Sequence, residues 1–194
     1  SVSEYRKPDF NVTVTPGSAD VVVNDTVSAT IDARFFFDLP VTGAAVNWQV
    51  FASPTFIGRD VSGNYSFTDP DYSFGQQTSN GLGLIAQGIT TTDAQGRASI
   101  NFTAPPADPG RTVSYDIQAT VTDPAGDVQG TGHAGVTAHP SQLSVGVSAS
   151  SYIVSANEAV SFNVLSLDNT GAVVPNQVVQ ASLERVDWSC VQVV

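Results

Sequence analysis

The sequence predicts an all-β protein of tandem antiparallel β-sandwiches of the immunoglobulin or fibronectin type, the second of them incomplete. Apolar and polar residues alternate with a period of two along most of the 194 residues, and helical spacing is almost absent. Turn residues separate these alternating runs at regular intervals. An offset of 133 residues (160 − 27) places Val27-Ser28 on Val160-Ser161 and keeps apolar positions in phase, which indicates one domain type used twice.

The first domain is predicted over residues 1–138. Its first alternating run begins at Phe10, and the second extends from Val27 to Phe37. A turn at 39–43 leads into a third run, and three further runs lie at 98–102, 113–121 and 134–138. About seven short strands with turn signals between them are typical of a two-sheet sandwich.

One segment of the first domain breaks the alternation. Residues 54–88 form a long connection rich in Gly, Ser, Asn, Asp and aromatic residues. A connection of this length inside a compact domain is usually functional or mobile. It could also contain a short strand around Tyr65-Ser66-Phe67.

The second domain is predicted over residues 139–194, starting at His139-Pro140. Its predicted elements are strands at 143–147, 160–164 and 178–183 and a turn at 168–171. The offset places Val194 in the middle of the first copy, so we expect a half sandwich and a chain that is part of a longer array. A half sandwich leaves an apolar sheet face uncovered, and we therefore expect self-association through this domain or coverage by a neighbouring chain.

The composition restricts the class of partner. The net charge is −11 with only 7 Lys and Arg residues, which argues against nucleic acid and anionic membrane because both require a basic surface. No apolar run approaches the roughly 20 residues that span a bilayer. Cys190 is the only cysteine, so the chain contains no disulfide framework.

Five segments carry motifs in a set order along the chain. They are residues 4–12 (EYRKPDFNV), 35–44 (FFFDLPVTGA), 92–96 (TDAQG), 115–122 (YDIQATVT) and 171–178 (GAVVPNQV). In this order the motifs resemble the third macroglobulin domain, and the first part of the fourth, of the bacterial alpha-2-macroglobulin family.

This resemblance implies a scaffold in a protease inhibitor. Members of the family trap a protease after it cleaves their bait region, and a thioester in a C-x-E-Q motif can bond the protease covalently. Cys190-Val191-Gln192-Val193 does not match that motif, so we expect no thioester in this chain. We also expect that it carries no bait region. The implied partners are neighbouring macroglobulin domains and, through the whole protein, target proteases. The implied location is extracytoplasmic: periplasmic, cell-surface or secreted.

We predict no catalytic, cofactor-binding or metal-binding residue, and no enzyme activity. His133 and His139 lack acidic or cysteine neighbours at ligand spacing, and Asp69-Pro70-Asp71 lacks the spacing of a calcium loop. No G-x-S-x-G elbow is present. Cys190 is interpreted as a strand residue. The N-x-[ST] sequons start at Asn11, Asn24, Asn64 and Asn101.

The aromatic residues leave two interpretations open. Phe35 and Phe37 share one face of a strand and are expected in the core, which leaves Phe36 to meet a neighbouring domain. A carbohydrate-binding sandwich would instead use exposed aromatics of the long connection, namely Tyr65, Phe67, Tyr72 and Phe74.

A further alternative is an immunoglobulin-like repeat stalk of a bacterial surface adhesin, which would contain near-identical repeats.

Overall fold

The computed structural model describes residues 10–55, 61–67, 83–105, 112–126, 128–155 and 157–184. Within these ranges the chain forms ten β-strands and no helix, which confirms the predicted fold class. The strands are β1 (Phe10–Pro16), β2 (Asp20–Val22), β3 (Thr26–Phe35), β4 (Ala45–Pro54), β5 (Gly83–Thr91), β6 (Arg97–Thr103), β7 (Val113–Thr122), β8 (Gln129–His139), β9 (Leu143–Ala149) and β10 (Phe162–Asp168).

Strands β1 to β8 form what we call the first unit, a sandwich of two sheets. One sheet has the order β1-β3-β6, and the other has the order β2-β8-β7-β4-β5. All neighbours pair antiparallel except β2 and β8, which are parallel. Buried and exposed residues alternate strictly along β6 and most of β1, as expected for strands with one face in the core.

The core of the first unit lies between these two sheets. Phe102 of the smaller sheet and Tyr115 of the larger meet edge to face, with ring centroids 5.8 Å apart. The Tyr115 hydroxyl donates to the Pro105 carbonyl at 3.1 Å, and burial raises the pKa of this phenol above its usual value. Phe10, at which the first predicted alternating run begins, is buried.

Two strands of the first unit were not predicted from the sequence. β2 is only three residues long, which is too short for an alternation to be recognised. β5 begins at Gly83, so the predicted connection at 54–88 was drawn too long at its C-terminal end. β5 is an edge strand of the larger sheet, and Gly88 faces the Trp48 indole so closely that a Cβ there would lie 2.7 Å from the ring. An exposed strand with a glycine at its packing position has little amphipathic signal.

Strands β9 and β10, with the turn that follows them, form what we call the second unit. They pair antiparallel along their whole length, and an isolated bridge joins Leu167 to Val173. The predicted strand at 178–183 is wrong, because residues 175–184 have no strand and are mostly exposed. No described strand lies beside this segment, so its backbone lacks a ladder to join.

The offset of 133 residues holds at the level of individual hydrogen bonds. Phe10 pairs with Phe35 in the first unit, and Leu143 pairs with Asp168 in the second. The Phe35 amide donates to Leu39 as the Asp168 amide donates to Ala172. Three pairs of residues with positive φ also obey the offset: Asn24 with Asn157, Asp38 with Gly171, and Gly43 with Asn176.

Candidate interaction surfaces

The described residues contain no group of three or more His, Cys, Asp and Glu side chains placed to hold a metal ion. His133 is exposed on β8. His139 is buried at the end of the same strand, where its Nε2 lies 2.8 Å from Asp20 Oδ1. This contact joins β2 to the last residue of β8, so His139 contributes to the packing of these two strands. Cys190, Asp69-Pro70-Asp71, Tyr72 and Phe74 lie outside the described residues.

Thr92, in the TDAQG segment, connects two turns of the first unit. Its buried hydroxyl donates to the Val41 carbonyl at 2.6 Å and accepts from the Ala44 amide at 2.9 Å. Asp93 Oδ1 then accepts from the Gln95 and Arg97 amides and closes the following turn. These residues have fold roles, although the sequence alone did not single out the Thr92 hydroxyl.

The outer face of the three-stranded sheet carries a polar groove of about 480 Å³. Asp32 lines this groove and pairs with Arg34 at 2.9 Å and with Arg97 at 3.0 Å. Ion pairs this exposed contribute little to stability. The groove is lined by Asn11, Thr13, Thr15, Asp32, Arg34, Phe35, Phe36 and Asp38.

Three aromatic residues stand at one end of this groove. β3 ends at Phe35, and the chain then turns through Asp38 with φ of 66°. Phe37 is therefore 70% exposed and stacks on Phe35 at 5.5 Å, so the prediction that Phe37 packs in the core is wrong. Phe36 is also exposed to solvent, as predicted. Whether it meets a neighbouring domain stays a prediction.

The second unit has an exposed apolar face. Val145 and Val147 of β9 lie beside Val164 and Phe162 of β10 on one side of the sheet. Each of the four side chains is roughly half exposed. Contiguous apolar surface of this kind is typical of interaction sites.

The opposite face of the second unit meets the first unit. Ser66 forms an antiparallel bridge with Val147, so the strand predicted around 65–67 is present as a single bridge. The neighbouring Phe67 ring lies against Gly146. The sequence predicted the strand character of this segment but not its partner, which lies far along the chain.

The sequence matches no protein-family model and no curated protein. The fold matches native alpha-2-macroglobulin of Escherichia coli at a TM-score of 0.58 and 14% identity, over 88% of this chain and 11% of that one. Trypsin-activated alpha-2-macroglobulin of Escherichia coli matches at a TM-score of 0.54 and 16% identity, over 73% of this chain and 9% of that one. Salmonella alpha-2-macroglobulin reacted with methylamine matches at a TM-score of 0.57 and 14% identity, over 86% of this chain and 11% of that one.

These likenesses establish the fold. The chain has the β-sandwich fold of a segment of bacterial alpha-2-macroglobulins, as the motif resemblance implied. It spans about a tenth of the length of those proteins, 9% to 11%. No described residues form a helix with the length and apolar character to cross a bilayer.

Proposed function

We propose that this chain is a scaffold segment of an alpha-2-macroglobulin-like, broad-spectrum protease inhibitor. One observation carries the proposal: the fold match covers 88% of the chain, whereas the first unit ends at residue 139 of 194. The likeness therefore extends through both units in their natural order. A single immunoglobulin-like sandwich matching by chance would not continue into the next unit.

The proposed role of the segment is mechanical. The solved relatives include one activated by trypsin and one activated by porcine elastase, in keeping with a protein that responds to proteases. In this chain, the residues that carry the motif resemblance and are described serve turns and strand pairing, as Thr92 and Asp93 do. The segment would thus fix its neighbouring domains while cleavage of a bait elsewhere drives closure, in an extracytoplasmic compartment.

We further propose that the second unit is the first part of a second sandwich, with residues 139–194 belonging to it. The repeated register and turns support this, because β9 and β10 reproduce the pairing of β1 with β3. The exposed face of Val145, Val147, Phe162 and Val164 would then be covered by further strands or by a second chain.

The test uses the full-length protein that contains this segment. Incubated with trypsin, it is expected to block cleavage of a large protein substrate while cleavage of a small peptide substrate continues. A protease enclosed by a closing array excludes large substrates but admits small ones. The 194-residue chain alone is the control and should leave both activities unchanged. Unimpaired digestion of the large substrate by trypsin with the full-length protein would refute the proposal.

A further inference from the structure

The edge of β9 that does not pair with β10 is bridged by Ser66, in the connection between β4 and β5 of the first unit. β9 pairs with β10 along one edge. On the other edge, the Ser66 amide donates to the Val147 carbonyl and the Val147 amide donates to the Ser66 carbonyl, each at 2.9 Å. This reciprocal pair is the hydrogen-bonded type of antiparallel pairing. Ser66 therefore lies beside β9 as a third strand would, and shields part of an edge that would otherwise be open to foreign strands.

The Phe67 side chain, next to this bridge, packs against β9. The Phe67 ring lies over Gly146, where an added Cβ would be 2.6 Å from ring carbons. Gly146 is buried, although its neighbours Val145 and Val147 on the other face are exposed. Only glycine accepts the ring at this distance, so the close approach is specific to this position.

The internal repeat shows that this face differs from its counterpart in the first unit. The offset of 133 places Gly146 on Thr13, Leu165 on Asp32 and Leu167 on Arg34. In the first unit these positions form the open polar groove. In the second unit they are small or apolar, and Gly146 and Leu167 are buried. The same surface of one fold is thus polar and open in one copy, apolar and covered in the other.

We propose that residues 65–67 form an interdomain clasp that docks the first unit onto the outer face and free edge of β9. These three residues, which lie in the connection between β4 and β5, would serve as a domain–domain contact, with the Phe67 ring as the anchor. The partner of the Gly146 face is the first unit of the same chain. This proposal stands independently of protease trapping, because it concerns only how the two units are joined.

Cross-linking tests the backbone pairing. A hydrogen-bonded antiparallel pair has Cα atoms about 5.5 Å apart, within the range that a disulfide bridges. In a Cys190→Ser background, Ser66→Cys with Val147→Cys is expected to form an intramolecular disulfide on mild oxidation, seen by peptide mapping. Ser66→Cys with Ser150→Cys, past the end of β9, should stay reduced. Equal cross-linking of both pairs, or none in a folded protein, would overturn the clasp.

Glycine substitution tests the aromatic anchor. Gly146→Ala is expected to displace Phe67 and to speed hydrogen exchange of the Val147 amide roughly tenfold or more, because this amide donates across the clasp. Gly135→Ala is the matched control, since a Cβ there meets only the Tyr115 carbonyl, at 4.0 Å. The effect of Gly146→Ala should shrink when Phe67→Ala is already present. Exchange at Val147 that is unchanged by Gly146→Ala, or changed equally with and without Phe67, would refute the anchor.

Discussion

The two units share their hydrogen bonds but not their burial. Val12 in the first unit is 6% exposed, and its counterpart Val145 in the second is 43% exposed. Both occupy the same register position in a strand pair of the same geometry. The local sequence therefore specifies the strand pairing and the turns, whereas a core requires a second sheet.

The covering sheet of the first unit accounts for the difference. β8 packs on β1 so closely that a Cβ on Gly130 would lie 2.6 Å from the Phe10 ring. A Cβ on Gly132 would lie 2.5 Å from the Val12 carbonyl. These glycines let the large sheet approach the small one, which excludes water from the inward side chains. No described strand covers the corresponding face of the second unit.

The largest expected effect comes from truncating one phenylalanine in each unit. Phe10→Ala removes a ring that is 1% exposed and packs edge to face on Phe35, so it is expected to cost about 3–5 kcal/mol. Phe162→Ala removes a ring that is 53% exposed and should cost about 0.5 kcal/mol or less. Urea unfolding measures both, followed by Trp48 fluorescence in a Trp188→Phe background for the first unit and by amide exchange for the second.

The outcome also shows whether the apolar face of the second unit is covered in solution. A cost for Phe162→Ala that grows with protein concentration would indicate that two chains meet through this face. Equal costs for Phe10→Ala and Phe162→Ala at low concentration would contradict the difference in burial between the units.

A smaller effect is expected from Thr92, whose hydroxyl joins the Val41 carbonyl and the Ala44 amide in the first unit. Thr92→Val keeps the shape of the side chain but leaves the buried Ala44 amide without its acceptor, so it should cost about 1–3 kcal/mol in urea unfolding. The second unit keeps the equivalent turn, with Asn176 at φ 61° where the first has Gly43 at 68°, although no threonine is described beside it.

Thr92→Val is therefore expected to weaken the first unit without disrupting its turn. The Val41 amide, which donates to Ala33, should remain protected from hydrogen exchange. Thr131→Val, on an exposed position of β8, is the control and should change stability little. Loss of protection at Val41 would show that the turn depends on Thr92 and is not encoded locally.

Most of the fold followed from the alternation, and the exceptions have physical causes. The inward positions of β1, β3 and β7 were predicted because one face of each strand is buried. The segment at 178–183 also alternates, from Val179 to Leu183, yet it forms no strand in the described chain. Alternation reports which side chains prefer burial. Strand formation additionally requires a neighbouring backbone, which a single sequence does not reveal.

The interaction surfaces were less predictable than the fold. The strand character around Ser66 was visible in the sequence, but its pairing with Val147 is a long-range contact without a local signal. Gly146 gave a weak sign, because an isolated glycine in a strand often marks the close approach of another group. Phe37 was misplaced because alternation was extended past the end of β3, where the chain turns at Asp38.

The smallest expected effect is a difference in acid sensitivity between the two equivalent turns, at 35–39 and at 168–172. Hydrogen bonds from the Thr170 hydroxyl and the Ala172 amide hold the pKa of the Asp168 carboxyl below its usual value of 3.8. A lowered folded-state pKa means that the stabilisation is present above 3.8 and is lost as the pH falls from 3.8 through the lower folded value. The offset places Phe35, which does not titrate, at the corresponding position of the first unit.

Acid should therefore loosen the second turn before the first. The reference in the first turn is the Phe35 amide, which donates to the Leu39 carbonyl. As the pH falls below 3.8, hydrogen exchange of the Thr170 and Ala172 amides, corrected for intrinsic rates, should become faster relative to that of this reference amide. Asp168→Asn keeps an oxygen acceptor but removes the titration, so it should abolish the pH dependence and leave the turn formed at neutral pH. Equal acid sensitivity of both turns, or an unchanged pH dependence in Asp168→Asn, would mean that Asp168 does not hold the second turn. The turns of the two copies would then rest on the same backbone hydrogen bonds, and the copies would differ in the faces of their sheets and not in these turns.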